Sequence, residues 1–190
     1  MKRSMDMNKI FLYTFILLPL VLSSCATKDG INMKPLETVN FVDINRYIGQ
    51  WYEIARYEHR FQKGCVGSKA TYSLRDDGKI TVVNECFDKS SSGKLRSVKG
   101  KAWVVDKETN ARLKVSFFWP FSGDYWIIDL GENYEYAVVG HPGRKYLWIL
   151  SRTPEMDENV YNEILARLEK QDYDTTKLFT SPQQVKGGTP

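Results

Sequence analysis

The sequence is poor in the residues from which catalytic and metal sites are usually built. It contains only two histidines, His59 and His141, and three cysteines among 190 residues. Neither histidine stands in a His-Glu-x-x-His spacing, and the chain has neither a Gly-x-Ser-x-Gly nucleophile turn nor a glycine-rich phosphate loop. We therefore expect a protein that is not an enzyme and that holds no metal and no cofactor.

A strong charge of either sign is also missing. The formal net charge is +4, and the first 24 residues contribute +2 of it. The rest of the chain is close to neutral and gives no electrostatic reason to expect a nucleic-acid partner.

No apolar run is long enough to cross a bilayer as a helix, which takes about 20 residues. The longest run, Ile10 to Leu22, has 13 residues and follows a basic start at Lys2, Arg3 and Lys9. A basic start, a short apolar run and then small residues are typical of a secretory signal. We expect residues 1–24 to be a signal peptide.

The string Leu22-Ser23-Ser24-Cys25 at the end of this segment resembles the lipobox of bacterial lipoproteins. The resemblance implies that Cys25 is the lipidation site and anchors the chain in a membrane. Ala26, in the place where an Asp commonly retains such proteins in the inner membrane, implies the outer membrane, with the domain facing the periplasm. The alternative is an ordinary signal peptide with an incidental cysteine. Polar residues 26–35 would form a tether between the lipid and the domain. We therefore expect the lipidated Cys and its tether over 25–35 and the folded domain over 36–190.

Turn-forming residues recur at short intervals from residue 76 onward, and runs rich in Val, Ile, Tyr, Phe and Trp lie between them. Such spacing predicts an all-β sandwich or barrel. Eight strands joined by short links can close into an up-and-down antiparallel β-barrel, which removes exposed strand edges. The predicted strands are 50–58, 66–74, 79–87, 95–105, 111–118, 124–130, 134–140 and 145–151.

One C-terminal helix should follow the strands. Thr153 is the predicted N-cap and Pro154 the first helical residue. Val160, Ile164 and Leu168 form an apolar stripe at four-residue spacing. We expect this stripe to pack against the outside of the barrel; a partner-binding role is the alternative.

Three segments resemble the conserved elements of lipocalins. Gly49-Gln50-Trp51-Tyr52 is similar to the element that opens the first strand, Asn133 to Val139 to the second element, and Trp148 to Arg152 to the third. Their order spans the whole predicted domain, and the resemblance is closest to bacterial lipocalins and apolipoprotein D. Asn133-Tyr134 departs from the usual Thr-Asp-Tyr. The resemblance implies a structural pair in which Arg152 stacks across Trp51.

Period-two alternation and the resemblance together predict a ligand-binding interior. The resemblance places Tyr72, Asn84, Phe117, Tyr125 and Trp148 on the pocket wall, and alternation adds Tyr136 and Leu150. Alternation also points Leu113, Val115, Ile127, Val138 and Val82 inward. A mostly apolar wall with a few polar groups suits a hydrophobic ligand. The alternative is that these rings fill the barrel as a solid core.

Two cysteines remain once Cys25 is assigned to the lipid. Cys65 and Cys86 stand at the open ends of a hairpin that turns at Asp76-Asp77-Gly78, roughly opposite each other. We expect a disulfide, which persists in exported proteins; the alternative is two free thiols misaligned by the register. Nearby His or Cys ligands for a metal are lacking.

The expected function is to bind, and so store or transport, a hydrophobic ligand. A fatty acid or lysophospholipid is the ligand that the resemblance implies, with a basic rim residue such as Arg96 near its head group. A structural envelope lipoprotein with a filled barrel is the second hypothesis, and a Cys-dependent lipocalin enzyme the third. The lipid anchor would make the membrane a partner, and some relatives form homodimers.

Overall fold

The computed structural model describes residues 33–90 and 92–183. The predicted signal peptide, Cys25 and most of the tether lie outside these residues. Within them, nine strands and two α-helices follow one another along the chain. The strands are β1 Gly49–Tyr57, β2 Cys65–Leu74, β3 Ile80–Asp88, β4 Leu95–Val104, β5 Arg112–Phe118, β6 Phe121–Leu130, β7 Tyr136–Gly140, β8 Leu147–Ser151 and β9 Leu178–Thr180. The helices are α1 Ile44–Tyr47 and α2 Glu158–Lys170.

The strands form one antiparallel sheet that closes on itself, as predicted. Consecutive strands from β2 to β8 pair with their neighbours, β8 pairs with β1, and β1 pairs with β2. Closure is completed by β9, which pairs with β1 over Ala55–Tyr57, beyond the part of β1 that pairs with β2. The alternating pleat gives the barrel an inner and an outer face.

The barrel has two unlike ends. The connections at one end, which we call the mouth, are 58–64, 89–94, 119–120 and 141–146. The connections at the other end, which we call the closed end, are 75–79, 105–111 and 131–135. The segment before β1 runs along the outside from the mouth toward the closed end. The Lys34 carbonyl accepts a hydrogen bond from Arg144 in the 141–146 connection, and further along the backbone N–H of Val42 donates to Thr109.

Two hydrophobic clusters hold the fold together. One fills the closed half of the barrel, and the other packs α2 against the outer face through Ile164 and Leu168. The predicted stripe therefore packs on the outside of the barrel. All residues of both clusters lie between Leu36 and Leu178, so a chain that begins after Cys25 retains the complete core. None of the helices in 33–90 and 92–183 is long and apolar enough to cross a bilayer.

The predicted disulfide is present between Cys65 and Cys86, whose Cα atoms lie 5.4 Å apart. It joins β2 to β3 near the mouth, beside an irregularity in their pairing between Val66 and Lys69. Gly67 adopts φ +61° there, a conformation that glycine reaches without strain. On the entropy argument, a loop of 21 residues is worth about 3 kcal/mol.

Several predicted boundaries are wrong. Ser122 and Gly123, which stand in the turn between the predicted strands 111–118 and 124–130, lie inside β6, because the chain turns earlier, at Trp119-Pro120, and Phe118 pairs with Phe121. Tyr134 is in a tight turn with φ +62° and not in β7. The N-cap of α2 is Asp157, whose carboxylate accepts from the backbone of Asn159 and Val160, and not Thr153.

Candidate ligand-binding lumen

The closed end is sealed by Trp51 and Arg152. The Trp51 ring is fully buried, and the Arg152 guanidinium carbon lies 3.7 Å from its centroid. Arg152 also donates to the carbonyls of Arg46 and Gln50 at 2.7 and 2.9 Å. Gly49 has φ +100°, and a Cβ at that position would stand 3.3 Å from Arg152 Nη1. The predicted stack is therefore present, and Gly49 leaves the space that the guanidinium occupies.

Three tyrosine hydroxyls form a floor above Trp51. The Tyr125 hydroxyl hydrogen-bonds with those of Tyr47, at 2.7 Å, and Tyr72, at 3.0 Å. Burial raises the pKa of Tyr72 to about 12 and raises the pKa values of Tyr47 and Tyr125 in the same direction. The hydroxyls therefore stay neutral at physiological pH and hydrogen-bond through Tyr125, so the floor is polar at its centre but uncharged.

Above this floor the barrel encloses a space that we call the lumen. The inner face here carries Phe117 and Trp148, which pack on the inner cluster, with Leu150 lower in the wall. Gly100 lets the Phe117 ring lie across β4, since a Cβ there would stand 2.6 Å from that ring. Asn84 also points inward, because it shares the inner side of β3 with Val82 and pairs with Val98. Six of the seven predicted wall residues, all except Tyr136, thus lie on the inner face.

Tyr136 is the exception, and its predicted place is wrong. It lies on the outer face and its hydroxyl accepts from Arg167 of α2 at 3.0 Å. Ala137 and Val139 point inward on β7, whereas Val138, predicted inward, packs in the outer cluster. Successive side chains of a strand point to opposite faces of the sheet. Placing one residue of β7 on the wrong face therefore puts all the other side chains of that strand on the wrong face as well.

The lumen is open and not filled toward the mouth. Inward side chains above the floor, among them Asn84, Phe117 and Trp148, are only half-buried although walls surround them. Gly123 pairs with Val115 and so faces inward one level above Tyr125, yet a Cβ on it would meet no atom within 4 Å. Solvent therefore reaches the inner face near the mouth, whereas the tyrosine floor is buried.

A buried ion pair, which sequence reasoning missed, lines one side of the lumen. Glu53 and Arg56 are nearly inaccessible, and Arg56 Nη1 lies 2.6 Å from Glu53 Oε1. Gln62 donates to Glu53 at 2.7 Å and accepts from Trp148 Nε1 at 3.0 Å. Ser181 completes the group through hydrogen bonds with both charged residues. This network fixes the Trp148 ring against the wall.

The signal for Glu53 was available in the sequence. It stands two residues after Trp51 and so on the same side of β1, where a carboxylate requires a partner. Arg56 has the opposite parity, and only an irregularity in the β1–β8 pairing between Glu53 and Ala55 returns it to the inner face. That irregularity leaves no mark in the residue pattern.

Among the buried polar atoms without a hydrogen-bond partner in the described residues, two belong to inward-facing strand residues: Asn84 Oδ1, an acceptor, and Arg56 Nε, a donor. Unpaired buried groups are costly and uncommon. Arg96, the candidate for the rim, is already engaged, donating to the carbonyls of Phe61 and Lys63. Asn84 is thus the predicted wall residue with free polar capacity.

The described residues hold no cluster of three or more His, Cys, Asp or Glu side chains suited to a metal ion. The disulfide ties up the thiols of Cys65 and Cys86. A thiol-dependent reaction would therefore need the disulfide to be reduced first.

Comparisons with known proteins agree with this geometry. The family model described as the Lipocalin-like domain matches residues 42–183. The chain is 42% identical over 169 residues to outer membrane lipoprotein Blc of Escherichia coli K12, covering 86% of this chain and 95% of the relative. It is 31% identical to apolipoprotein D of Macaca fascicularis over 150 residues, 75% of this chain and 77% of that one.

Among solved structures, insecticyanin from the tobacco hornworm Manduca sexta superposes with a TM-score of 0.64 at 20% sequence identity, over 80% of this chain and 86% of that one. At that identity the likeness concerns the fold alone. The fold, the sealed end with its Trp51–Arg152 pair and the family match lead to one conclusion: this chain belongs to the lipocalin family.

Proposed function

We propose that this protein binds one long-chain fatty acid or lysophospholipid in its lumen and so stores or carries it. The observation that carries the proposal is the mostly apolar inner face that stays partly exposed between the tyrosine floor and the mouth, with open space beside Gly123. A filled barrel serving only as an envelope component is the competing function, and the half-buried inward side chains argue against it.

The acyl chain would enter first and end above the tyrosine floor. Phe117 and Trp148 offer it apolar walls, whereas Glu53 and Arg56 are already paired with each other. A charged head group would stay near the mouth, because burying it unpaired is costly. Asn84 could meet a hydroxyl or an ester linkage through its unpaired oxygen.

Titration with saturated fatty acids of rising length tests this. The chain from Ala26 onward, delipidated, should bind them with an affinity that climbs about fourfold per methylene until the lumen is full, since each buried methylene contributes about 0.8 kcal/mol. Calorimetry gives the affinity, and quenching of Trp148 reports occupancy. Affinity that is absent or indifferent to chain length would contradict acyl binding.

A lumen-blocking variant sharpens the test. Gly123→Leu places a side chain in the open space and should weaken binding of the best fatty acid by about tenfold or more, because it displaces several methylenes. Ser122→Leu adds the same bulk on the outer face and should bind like the wild type. Equal affinities in all three proteins would place the ligand elsewhere.

We further propose that Cys25 carries the lipid anchor and that the protein resides in the outer membrane, facing the periplasm. The lipobox-like string, Ala26 and the similarity to a protein named outer membrane lipoprotein support this. Cys25→Ser should leave an unprocessed precursor that takes up no labelled palmitate. Normal cleavage and outer-membrane fractionation of that variant would refute the anchor.

A further inference from the structure

The turn between β5 and β6 exposes large aromatic side chains at the mouth. Phe118, Trp119 and Phe121 are 69%, 78% and 77% exposed. Phe118 and Phe121 pair across the hairpin, so the rings project from a hydrogen-bonded hairpin end. We call Phe118 to Phe121 the tip. Three neighbouring exposed aromatic residues are an unusual surface for a protein that contacts only water.

Further apolar side chains surround the mouth. Phe61, Leu95 and Val98 are exposed to 59%, 49% and 37%. Phe61 lies in the 58–64 connection and Leu95 begins β4. The exposed apolar surface therefore concentrates around the opening through which a ligand would enter the lumen.

The barrel is also electrically polarised from end to end. The mouth connections hold six basic residues against one acidic residue: Arg60, Lys63, Lys89, Lys94, Arg144 and Lys145 against Glu58. The closed-end connections hold three basic and six acidic residues: Arg75, Lys79 and Lys107 against Asp76, Asp77, Asp106, Glu108, Glu132 and Glu135. Lys101 adds to the positive end, with its Nζ 5.1 Å from the centre of the Trp119 ring.

The chain outside the described structure joins it at this same end. Lys34 is held by Arg144 of a mouth connection, so residues before Met33 begin beside the mouth. Cys25 is eight residues before Met33. Eight extended residues reach at most about 28 Å. If Cys25 carries the anchor, as proposed above, the mouth is the end held within reach of the membrane.

We propose that the mouth docks onto an anionic phospholipid surface, with the tip aromatics inserted among the head groups and the basic connections facing the lipid phosphates. Trp beside Lys is the pairing that suits a membrane interface, because the ring is amphipathic and the cation attracts anionic lipid. Docked in this way, the lumen opens onto the bilayer and not onto water.

Vesicle binding of the chain from Ala26 onward tests the docking without the anchor. It should sediment with vesicles of phosphatidylcholine containing phosphatidylglycerol as the minor component, and less with phosphatidylcholine alone. The variant Phe118→Ser/Trp119→Ser/Phe121→Ser should lose about tenfold or more in partitioning, because these side chains supply the buried apolar area.

Two further variants separate the contributions. Phe41→Ser removes a 58% exposed phenylalanine near the closed end and should bind vesicles like the wild type. Lys89→Gln/Lys94→Gln should weaken binding to the anionic vesicles by about tenfold or more while leaving the neutral ones unchanged, since each basic residue contributes to anionic binding only. An identical unfolding midpoint in denaturant confirms that each variant folds. Should the triple variant unfold, Trp119→Ser alone is tested by sedimentation in its place. In the wild type, brominated lipids should then quench the fluorescence of Trp119.

Failure of docking and failure of ligand binding give different results. The triple tip variant should still bind the best fatty acid, and Gly123→Leu should still bind vesicles. The docking is overturned if the wild-type protein does not sediment with anionic vesicles, or if the triple tip variant binds them as well as the wild type does. A wild-type dimer that the tip variant converts to monomer also overturns it, because the tip would then be a contact between two copies.

Discussion

Arg152 closes the barrel with its hydrogen bonds as well as with its stacking on Trp51. Its guanidinium binds carbonyls of the segment that leads from α1 into β1, including those of Arg46 and Gln50. The last carbonyls of a helix have no partners within it, and a cation there is favourable. Arg152 thus joins the end of β8 to the beginning of β1 at the sealed end.

A double-mutant cycle should detect this coupling. Trp51→Ala should lower the free energy of unfolding by about 3–5 kcal/mol, as for other buried tryptophans. Arg152→Ala should cost about 2 kcal/mol or more, because several carbonyls lose a charged donor. The combined loss should be smaller than the two separate losses together, since the residues touch.

Urea unfolding of the four proteins measures these values. Arg152→Lys is the matched control, because it keeps the charge but lacks the planar fork that reaches several carbonyls. It should recover only part of the loss. Strictly additive losses would mean that the stack contributes no energy of its own.

The position of an individual side chain could be predicted where residues next to it in the sequence determine that position. Trp51 and Arg152 stand in recognisable local motifs, and the strand alternation around Trp51 is regular. Tyr136 was misplaced because alternation does not by itself say which of the two alternating sets on β7 faces inward, and the β6–β7 pairing shifts between Ile127 and Asp129. Such shifts arise from contacts between strands, so the sequence of one strand does not reveal them.

The tyrosine floor connects three elements that are distant in the chain. Tyr47 belongs to α1, Tyr72 to β2 and Tyr125 to β6, and the hydroxyl of Tyr125 contacts both others. Deprotonating any one of them would place a charge among buried rings. The floor therefore makes the stability of the barrel sensitive to alkaline pH.

The sign of this dependence follows from the raised pKa. In the unfolded chain Tyr72 loses its proton near pH 10, whereas burial raises its pKa in the folded protein to about 12. Its stabilising contribution is complete below about pH 10 and falls as the pH rises to about 12. The free energy of unfolding should fall less steeply over this range in Tyr72→Phe than in the wild type.

Urea unfolding of both proteins at several alkaline pH values measures the slopes. Tyr72→Phe should start lower, because it lacks the hydrogen bond to Tyr125, and the gap between the curves should narrow with rising pH. Curves that remain parallel would show that Tyr72 titrates alike in both states.

The boundaries of elements were harder to predict than their existence. Ser122-Gly123 has the composition of a turn, yet both residues lie in β6, where Gly123 leaves room in the lumen. Thr153-Pro154 is a good start for a helix, but Asp157 caps α2 instead. In both cases a second suitable signal lay three or four residues away, and the residue pattern alone does not choose between the two.

For the molecule as a whole, regular turn spacing, the three lipocalin-like elements and the apolar stripe of α2 were together enough to predict a closed barrel with an outer helix. They did not predict β9, because Leu178–Thr180 is too short for a periodic pattern. Nor did they predict that Leu36, in the segment before β1, packs in the outer cluster. Both features depend on contacts between distant parts of the chain, and local sequence patterns do not reveal such contacts.

The place of β9 has a consequence for when the protein can fold. Thr180 pairs with Ala55, about 125 positions earlier, and the carbonyl of Pro182 accepts from Gly67. The wall beside β1 therefore has a gap until nearly the last residue is available. A chain passing through a narrow translocation pore with its N-terminus first cannot complete this wall on the way. If the protein is exported in this way, as the proposed anchor requires, its topology delays native folding until Leu178–Thr180 and Pro182 have reached the far side.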